Sequence, residues 1–284
     1  MSGGPGLPPA LVWEDVVRRG LAEDLGTGGD LTTDAVVPAG LPGRARLAAR
    51  AAGCVAGLEV AARAFALVDA GVVLAARVAE GARVEAGATL AEVSGPARAL
   101  LSGERTALNV LGRMCGIATA TRALVDALGD PPPHVVCTRK TTPGLRALEK
   151  YAVRAGGGRN HRFGLEDAVL IKDNHVAVAG GLDEAVRRVR ARAGHLVKVE
   201  VEVDSLDQLE RALGLGVEAV LLDNFGLAHL RRAVAACRGR AVTEASGGIT
   251  PATIREVAAT GVDLVSVGWL THSAPALDVG MDWL

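Results

Sequence analysis

VKVEVEVDSLDQLERALGLGVEAVLLDN, residues 197–224, reads as strand, helix and strand in immediate succession. The apolar, β-branched run VKVEVEV (197–203) comes first. Ser205 then opens SLDQLERALG (205–214), whose apolar residues recur at helical spacing, and AVLLDN (219–224) returns to a strand. Two strands joined by a helix pair in parallel. Outward from this unit the rhythm repeats. HVVCTRK (134–140) and AVLIKD (168–173) precede it, and AVTEAS (241–246) and LVSVGW (264–269) follow. Helical segments such as GGLDEAVRRVRARAG (180–194) and TPATIREVAATG (250–261) lie between them. Six βα units predict an α/β class fold with a parallel sheet. The runs read as continuously apolar instead of alternating, as strands covered on both faces should. A doubly wound sheet would also fit. Polar residues end every strand, however, and not one switch point alone, so an α/β barrel of about six strands is expected.

Those strand ends carry the functional argument. They are Arg139 and Lys140, Lys172, Glu202, Asp223, Ser246 with Gly247 and Gly248, and Gly268. Parallel barrel strands finish on one face, where barrel enzymes do their chemistry. Any one of these residues could merely mark where a strand surfaces; the whole set on one rim calls for a ligand. From Arg139 to Lys172 there are eight Arg or Lys against three acids, although the chain as a whole carries a net charge of -1. A solvated face would interleave the signs. Arginine forks and lysine point charges used together, with His161 and Arg162 among them, suit a ligand with several separate anionic groups. ASGGITPAT (245–253) places glycines between a strand and a helix with Pro251 near its first turn, a natural phosphate cradle. The period of two puts Glu200 and Glu202 on one face of their strand. Glu202 and Asp223 then read as partners for cations, ribose hydroxyls or a magnesium ion. A structural salt bridge to Lys140 or Lys172 is the plainer alternative.

The remainder of the chain bounds the answer. Between residues 10 and 103, closely spaced segments such as GVVLAARVAEGARVEAGATLAEVSG (71–95) predict hairpins packed as a small sheet, with ARVEAGATLAEV (82–93) turning at its central glycine. A helix is expected from Ser102, as N-cap, to Leu128, stopped by Gly129 and the prolines 131–133. With 49% hydrophobic residues a sizeable core is available. Three Trp, one Tyr and three Phe leave little with which to stack unpaired bases, and the balanced charge gives no field for nucleic acid or a membrane surface. The four cysteines form no CxxC pair and read as reduced thiols of a cytoplasmic protein. No signal peptide or membrane-spanning segment is expected. GARVEAGATLAEVSG resembles the hairpin of biotinyl or lipoyl carriers but has no lysine at its turn.

CTRKTTPGLRALEKYAVRAGGGRNHRFGLEDAVLIKDNH (137–175) resembles the signature of quinolinate phosphoribosyltransferases, also called carboxylating nicotinate-nucleotide pyrophosphorylases. EDLGTGGDLTT (23–33), SGERTALN (102–109), VEVEVDSLDQL (199–209), VLLDNF (220–225) and EASGGIT (244–250) extend the resemblance over nearly the whole chain. It implies an N-terminal α/β open-sandwich domain (1–115, completed by 274–284) and an incomplete barrel of about six strands (116–273). It implies quinolinate and phosphoribosyl pyrophosphate as substrates, with release of carbon dioxide, Mg²⁺ as cofactor, and a homo-oligomer that is a dimer or a hexamer. By motif position, quinolinate contacts fall on Arg105, Arg139, Lys140, His161, Arg162 and Lys172. Contacts with the sugar donor fall on Lys140, Glu202, Asp223, Ser246, Gly247, Gly248 and Gly268. Lys140, Lys172, Glu202 and Asp223 are the expected catalytic groups, and Glu202 and Asp223 the metal holders, in part through pyrophosphate. Arg105 follows Ser102 in what reads as the first helical turn, where a cation opposes the helix dipole. The resemblance places it in the partner subunit's quinolinate pocket. A nicotinate-specific or molybdate-associated relative is the nearest rival, and the density of cations argues against both.

Overall fold

The computed structural model describes residues 6–128 and 133–284. In chain order, α1 (Glu14–Leu25) and α2 (Leu31–Val36) precede β1 (Pro42–Ala49), β2 (Gly53–Cys54), α3 (Leu58–Val68), β3 (Val73–Ala76), β4 (Arg83–Val84), β5 (Thr89–Pro96) and α4 (Ala97–Asp126). Next come β6 (His134–Val136), α5 (Arg146–Ala155), β7 (Val169–Ile171), α6 (Asp173–Ala179), α7 (Leu182–Arg190), β8 (Val199–Val203), α8 (Leu206–Gly214) and β9 (Ala219–Asp223). The chain ends with α9 (Leu227–Cys237), β10 (Val242–Ser246), α10 (Ile254–Ala258), β11 (Leu264–Ser266), α11 (Trp269–His272) and β12 (Val279–Trp283). These elements fall into two compact units. One holds the chain up to Arg122, Thr141–Gly157 and Trp269–Leu284; the other holds Ala123–Lys140 and Gly158–Gly268.

The first unit contains an antiparallel sheet in the order β12-β1-β5-β3, with a separate β2–β4 pair. β12 joins from the far end of the sequence, Ala45 standing opposite Trp283. The hairpin expected within residues 82–93 does not form. Its first arm, β4, pairs with β2, and its second, β5, pairs with β1 and β3. The turn between them is tied elsewhere: Gly87 N–H donates to Ala49 O, and Ala49 N–H to Ala88 O. The long helix also begins earlier than expected, at Ala97, where β5 ends. Ser102 caps nothing. Its hydroxyl donates to Asp30 Oδ2 at 3.0 Å, and Asp30 itself caps α2 by accepting from Thr33 N–H. Arg105 therefore lies two turns inside α4, beyond reach of the helix-dipole argument, which the charge effect confines to the terminal turn. The expected domain boundary at residue 115 falls within this helix, and the expected stops at Gly129, Pro131 and Pro132 lie outside the described residues.

The second unit is a parallel sheet of six strands in the order β6-β11-β10-β9-β8-β7. From β7 to β11 each strand is added on the same side of its predecessor, and β11 then pairs with β6, the first of the set. A doubly wound sheet would reverse direction at its middle. This progression is that of a barrel left open between its first two strands, β6 and β7. The unit quoted at the outset explains how the layers hold. Val199, Val201 and Val203 are buried, alternating with the half-buried Glu200 and Glu202, so β8 alternates and is not continuously apolar. In a barrel one strand face packs outward against helices and the other meets the interior, which here is polar. Ser205 caps α8, and Leu209, Ala212 and Leu213 form its buried stripe. Each of the two leucines contributes roughly 1.5–3 kcal/mol on burial.

Candidate active site

The inward face is set by the period of two. Leu170 and Lys172, Glu200 and Glu202, Leu221 and Asp223, and Glu244 and Ser246 each stand two residues apart at the C-terminal ends of β7, β8, β9 and β10. With Ser266 of β11, all of these except Glu200 line a cavity of ≈ 430 Å³, completed by Thr138, Arg139, Lys140, His161 and Arg162. That volume is in the usual range for small-molecule sites. Four permanent cations face three carboxyl groups. Ser246 pairs in register with Asp223, and Glu202 with Leu221, which brings the two acidic strand ends side by side.

The polar groups are partly committed to one another. Lys172 Nζ is paired with Glu202 Oε2. Asp223 Oδ2 accepts from Asn224 Nδ2 at 2.8 Å. Arg162 Nη1 donates to Ala168 O at 3.1 Å, and burial followed by the nearby Arg139 charge pushes the Arg162 guanidinium down from its usual value. Arg139 Nε is buried and has no hydrogen-bond partner among the described residues. Two guanidiniums near each other, one with an idle donor, are an arrangement that an anion between them would satisfy. His161 Nδ1 accepts from Arg162 N–H at 2.8 Å, so the ring proton is assigned to Nε2, which points at Glu200 Oε2 2.9 Å away.

Among the residues expected from the sequence, Arg139, Lys140, His161, Arg162, Lys172, Glu202, Asp223 and Ser246 line this one cavity. Gly247, Gly248 and Gly268 follow the ends of β10 and β11 without lining it. Gly247 adopts φ +100°, and a Cβ there would lie 2.1 Å from Asn224 Oδ1, so only glycine lets the turn pass so close to the end of β9. The helix expected to open near Pro251 starts at Ile254 instead. Thr250 and Thr253 hold the intervening turn, Thr250 N–H donating to Thr253 Oγ1 at 3.0 Å. Arg105 belongs to the other unit, where it is exposed and lines a cavity of ≈ 600 Å³ with Arg19, Glu23 and Asp24. The sequence reading did not single out Glu244, Thr138 or Ser266. Glu244 had a signal: like Glu200 it is an acid within an apolar strand, two residues before a strand-end polar group.

This fold and site define a barrel transferase for polyanionic substrates, with cations and carboxylates arranged on one rim. The comparisons make that class specific. The N-terminal and C-terminal domains of quinolinate phosphoribosyl transferase match residues 30–115 and 117–282. The carboxylating nicotinate-nucleotide pyrophosphorylase of Mycobacterium leprae is 48% identical over 273 residues, covering 94% of this chain and 96% of the relative. The probable carboxylating enzyme of Bacillus subtilis is 44% identical, covering 92% and 89%. Among solved structures, the nicotinate-nucleotide pyrophosphorylase from Francisella tularensis superposes with a TM-score of 0.94 at 35% identity, over 100% of both chains. Human nicotinic acid phosphoribosyltransferase, at 15% identity and TM-score 0.60, shares the fold alone. The chain belongs to the quinolinate phosphoribosyltransferase family. No helix among the described residues is long and apolar enough to cross a membrane.

Proposed function

We propose that this enzyme transfers the phosphoribosyl group of phosphoribosyl pyrophosphate to quinolinate, giving nicotinate mononucleotide, pyrophosphate and carbon dioxide for NAD synthesis. The observation that carries this reading is one cavity lined by Arg139, Lys140, Arg162 and Lys172, with Glu202 and Asp223 at adjacent strand ends. Quinolinate brings two carboxylates and its co-substrate a phosphate and a pyrophosphate, which together use every cation. Arg139, Arg162, Lys172 and His161 hold the dicarboxylate and present its ring nitrogen to the sugar. Lys140, exposed at the rim, meets the pyrophosphate. Ser246, Gly247, Gly248 and Gly268 receive the 5′-phosphate.

Glu202 and Asp223 then face the sugar carbon and stabilise the positive charge that grows there as pyrophosphate departs. Glu202 is paired with Lys172 before substrates arrive; a substrate carboxylate that draws Lys172 away frees Glu202 for this role. After the ring nitrogen is alkylated, the ring accepts the electron pair left by the departing carboxylate. A proton replaces it, with Lys172 and His161 both in the cavity to guide it. The oxygen donors of Glu202 and Asp223 suit Mg²⁺. Because Lys172 already pairs with Glu202, the ion fits best when held jointly by these carboxylates and pyrophosphate, where it would supply charge neutralisation.

The test offers phosphoribosyl pyrophosphate and Mg²⁺ with either quinolinate or nicotinate. Quinolinate yields nucleotide and carbon dioxide. Nicotinate is expected to be turned over at least about a hundredfold less efficiently, since its missing carboxylate leaves cations unpaired. Comparable use of nicotinate would overturn the assignment. The enzyme works in the cytoplasm as a dimer or a higher homo-oligomer, with Arg105 completing the partner subunit's quinolinate pocket. Mixing inactive Arg105→Ala and Lys140→Ala subunits under conditions of exchange tests this. Half the dimers are then mixed, each with one intact site, so about a quarter of wild-type activity returns. No recovery despite demonstrated exchange would exclude the shared site.

A further inference from the structure

Beneath the groups that the transfer reaction uses lies one that it leaves idle. Glu244, midway along β10, is 2% exposed, lines the cavity, and has no hydrogen-bond partner at Oε1 among the described residues. Its neighbour is His161 Nε2, 3.7 Å away, and that nitrogen's single proton already points at Glu200, 2.9 Å away. One N–H cannot serve two carboxylates. His161, Glu200 and Glu244 have the composition of a metal site. A metal, however, would need the Nε2 lone pair, with Nδ1–H donating outward. Here Nδ1 accepts from Arg162 N–H instead, so the proton occupies the position that a metal would take. A proton on the Glu244 carboxyl would remove the second buried negative charge beside that N–H. Burial first, and then the nearby Glu200 charge, push the Glu244 carboxyl up to about 7.

We propose that Glu244 rests as a neutral carboxylic acid, and that its proton is the condition on which the cavity accepts a dianionic aromatic acid. Glu244 is thereby a specificity-determining residue of the site. This inference rests on quinolinate being the ligand. The groups that act on Glu244 are Glu200 on β8, His161, Ser266 on β11 and Lys172 at the end of β7, while Glu202 and Asp223 line the same cavity. Ionising Glu244 would add another negative charge to a floor that already holds three carboxylates, directly below a ligand carrying two. Protonated, it leaves the surplus of Arg139, Arg162, Lys140 and Lys172 for the substrates. Affinity for the dicarboxylate is therefore highest below neutrality and falls as pH rises. Ligand carboxyls ordinarily titrate several pH units lower, so the dependence belongs to the protein.

Calorimetric titration of quinolinate from pH 6 to pH 8.5, in buffers of differing ionisation enthalpy, tests the assignment. The wild-type protein should lose up to about tenfold in affinity per pH unit above neutrality and take up close to one proton on binding there. Glu244→Gln, which keeps the neutral shape, should change by less than about twofold over that range and take up none. If uptake and pH slope persist in Glu244→Gln, the proton resides on His161 or elsewhere and the proposal falls. A pH-flat wild type would overturn it equally. Should the variant fail to fold, the infrared carbonyl band of a protonated carboxyl in the wild type decides. That band is expected at pH 6 and diminished at pH 8.5, and its absence at pH 6 overturns the inference. Carbon dioxide release from quinolinate is measured alongside. Its absence at every pH refutes the parent reading and this inference with it. Release combined with pH-independent affinity refutes the role of Glu244 alone.

Discussion

Each of the two units buries a glutamate, and the two are handled in opposite ways. Glu149 on α5 is 1% exposed and Glu244 on β10 is 2% exposed. Glu149 accepts from Arg113 Nε and Nη2 at 3.1 and 2.8 Å, and from Thr142 N–H and hydroxyl at 3.0 and 2.8 Å. Arg113 is fixed in turn by donating to Thr271 O and Ala274 O, both at 2.8 Å. Glu244 has an orphan oxygen and another carboxylate nearby. Burial alone therefore does not say what a carboxyl group is for. A fully satisfied one fastens chain segments together, whereas an unsatisfied one in a cavity is held ready for a ligand or a proton.

The contrast is broken most directly by making the same change at both places. Glu149→Gln leaves Arg113 without its counter-charge and is expected to cost about 3 kcal/mol of stability, read from chemical denaturation. A loss too small to measure would mean that the ion pair is not structural. Glu202→Gln and Asp223→Asn, in the other unit, are expected to leave stability nearly intact and to lower turnover by roughly tenfold or more. Quinolinate binding, measured calorimetrically, should be retained or strengthened in both variants. Collapse of that binding with turnover preserved would assign these carboxylates to the wrong substrate.

The smallest effect is expected at Glu244. Its folded-state pKa is raised, so in the window between its ordinary value and about 7 the native protein holds a proton that the unfolded chain has released. Native stability accordingly falls as pH rises through that window and stays lowered above it. Glu244→Gln removes this penalty. Its melting midpoint should approach or exceed that of the wild type above pH 7 and lose its advantage near pH 5. A variant that is equally destabilised at both pH values would point to a packing role.

What the sequence allowed to be read follows from how local each signal is. Alternating βα segments and strand-end polar residues are written within a few residues of one another, and Arg139, Lys172, Glu202, Asp223 and Ser246 could be found by reading each strand to its end. Glu244 sits one pleat deeper, where an acid in an apolar run looks like a strand interior until the sheet is seen to curve around it. The errors came from partners far away in sequence. Ser102 has the chemistry of a cap, but Asp30 claims its hydroxyl from 72 residues away. Residues 82–93 have the pattern of a hairpin, but β2 and β1 take its two arms.

β12 carries a consequence for how the protein is made. It forms the edge of the first sheet by pairing with β1, residues 279–283 lying against 45–49. During synthesis β1 emerges early, while its edge partner follows only after the whole parallel sheet of the second unit has been made. Until β12 follows, β1 presents an open row of backbone donors and acceptors on that side, the kind of edge that invites wrong pairings between nascent chains. All six barrel strands are synthesised by then, so the first sheet to be started is the last to be closed. A chain lacking residues 279–283 would keep every group of the candidate site and still emerge with an unsealed edge.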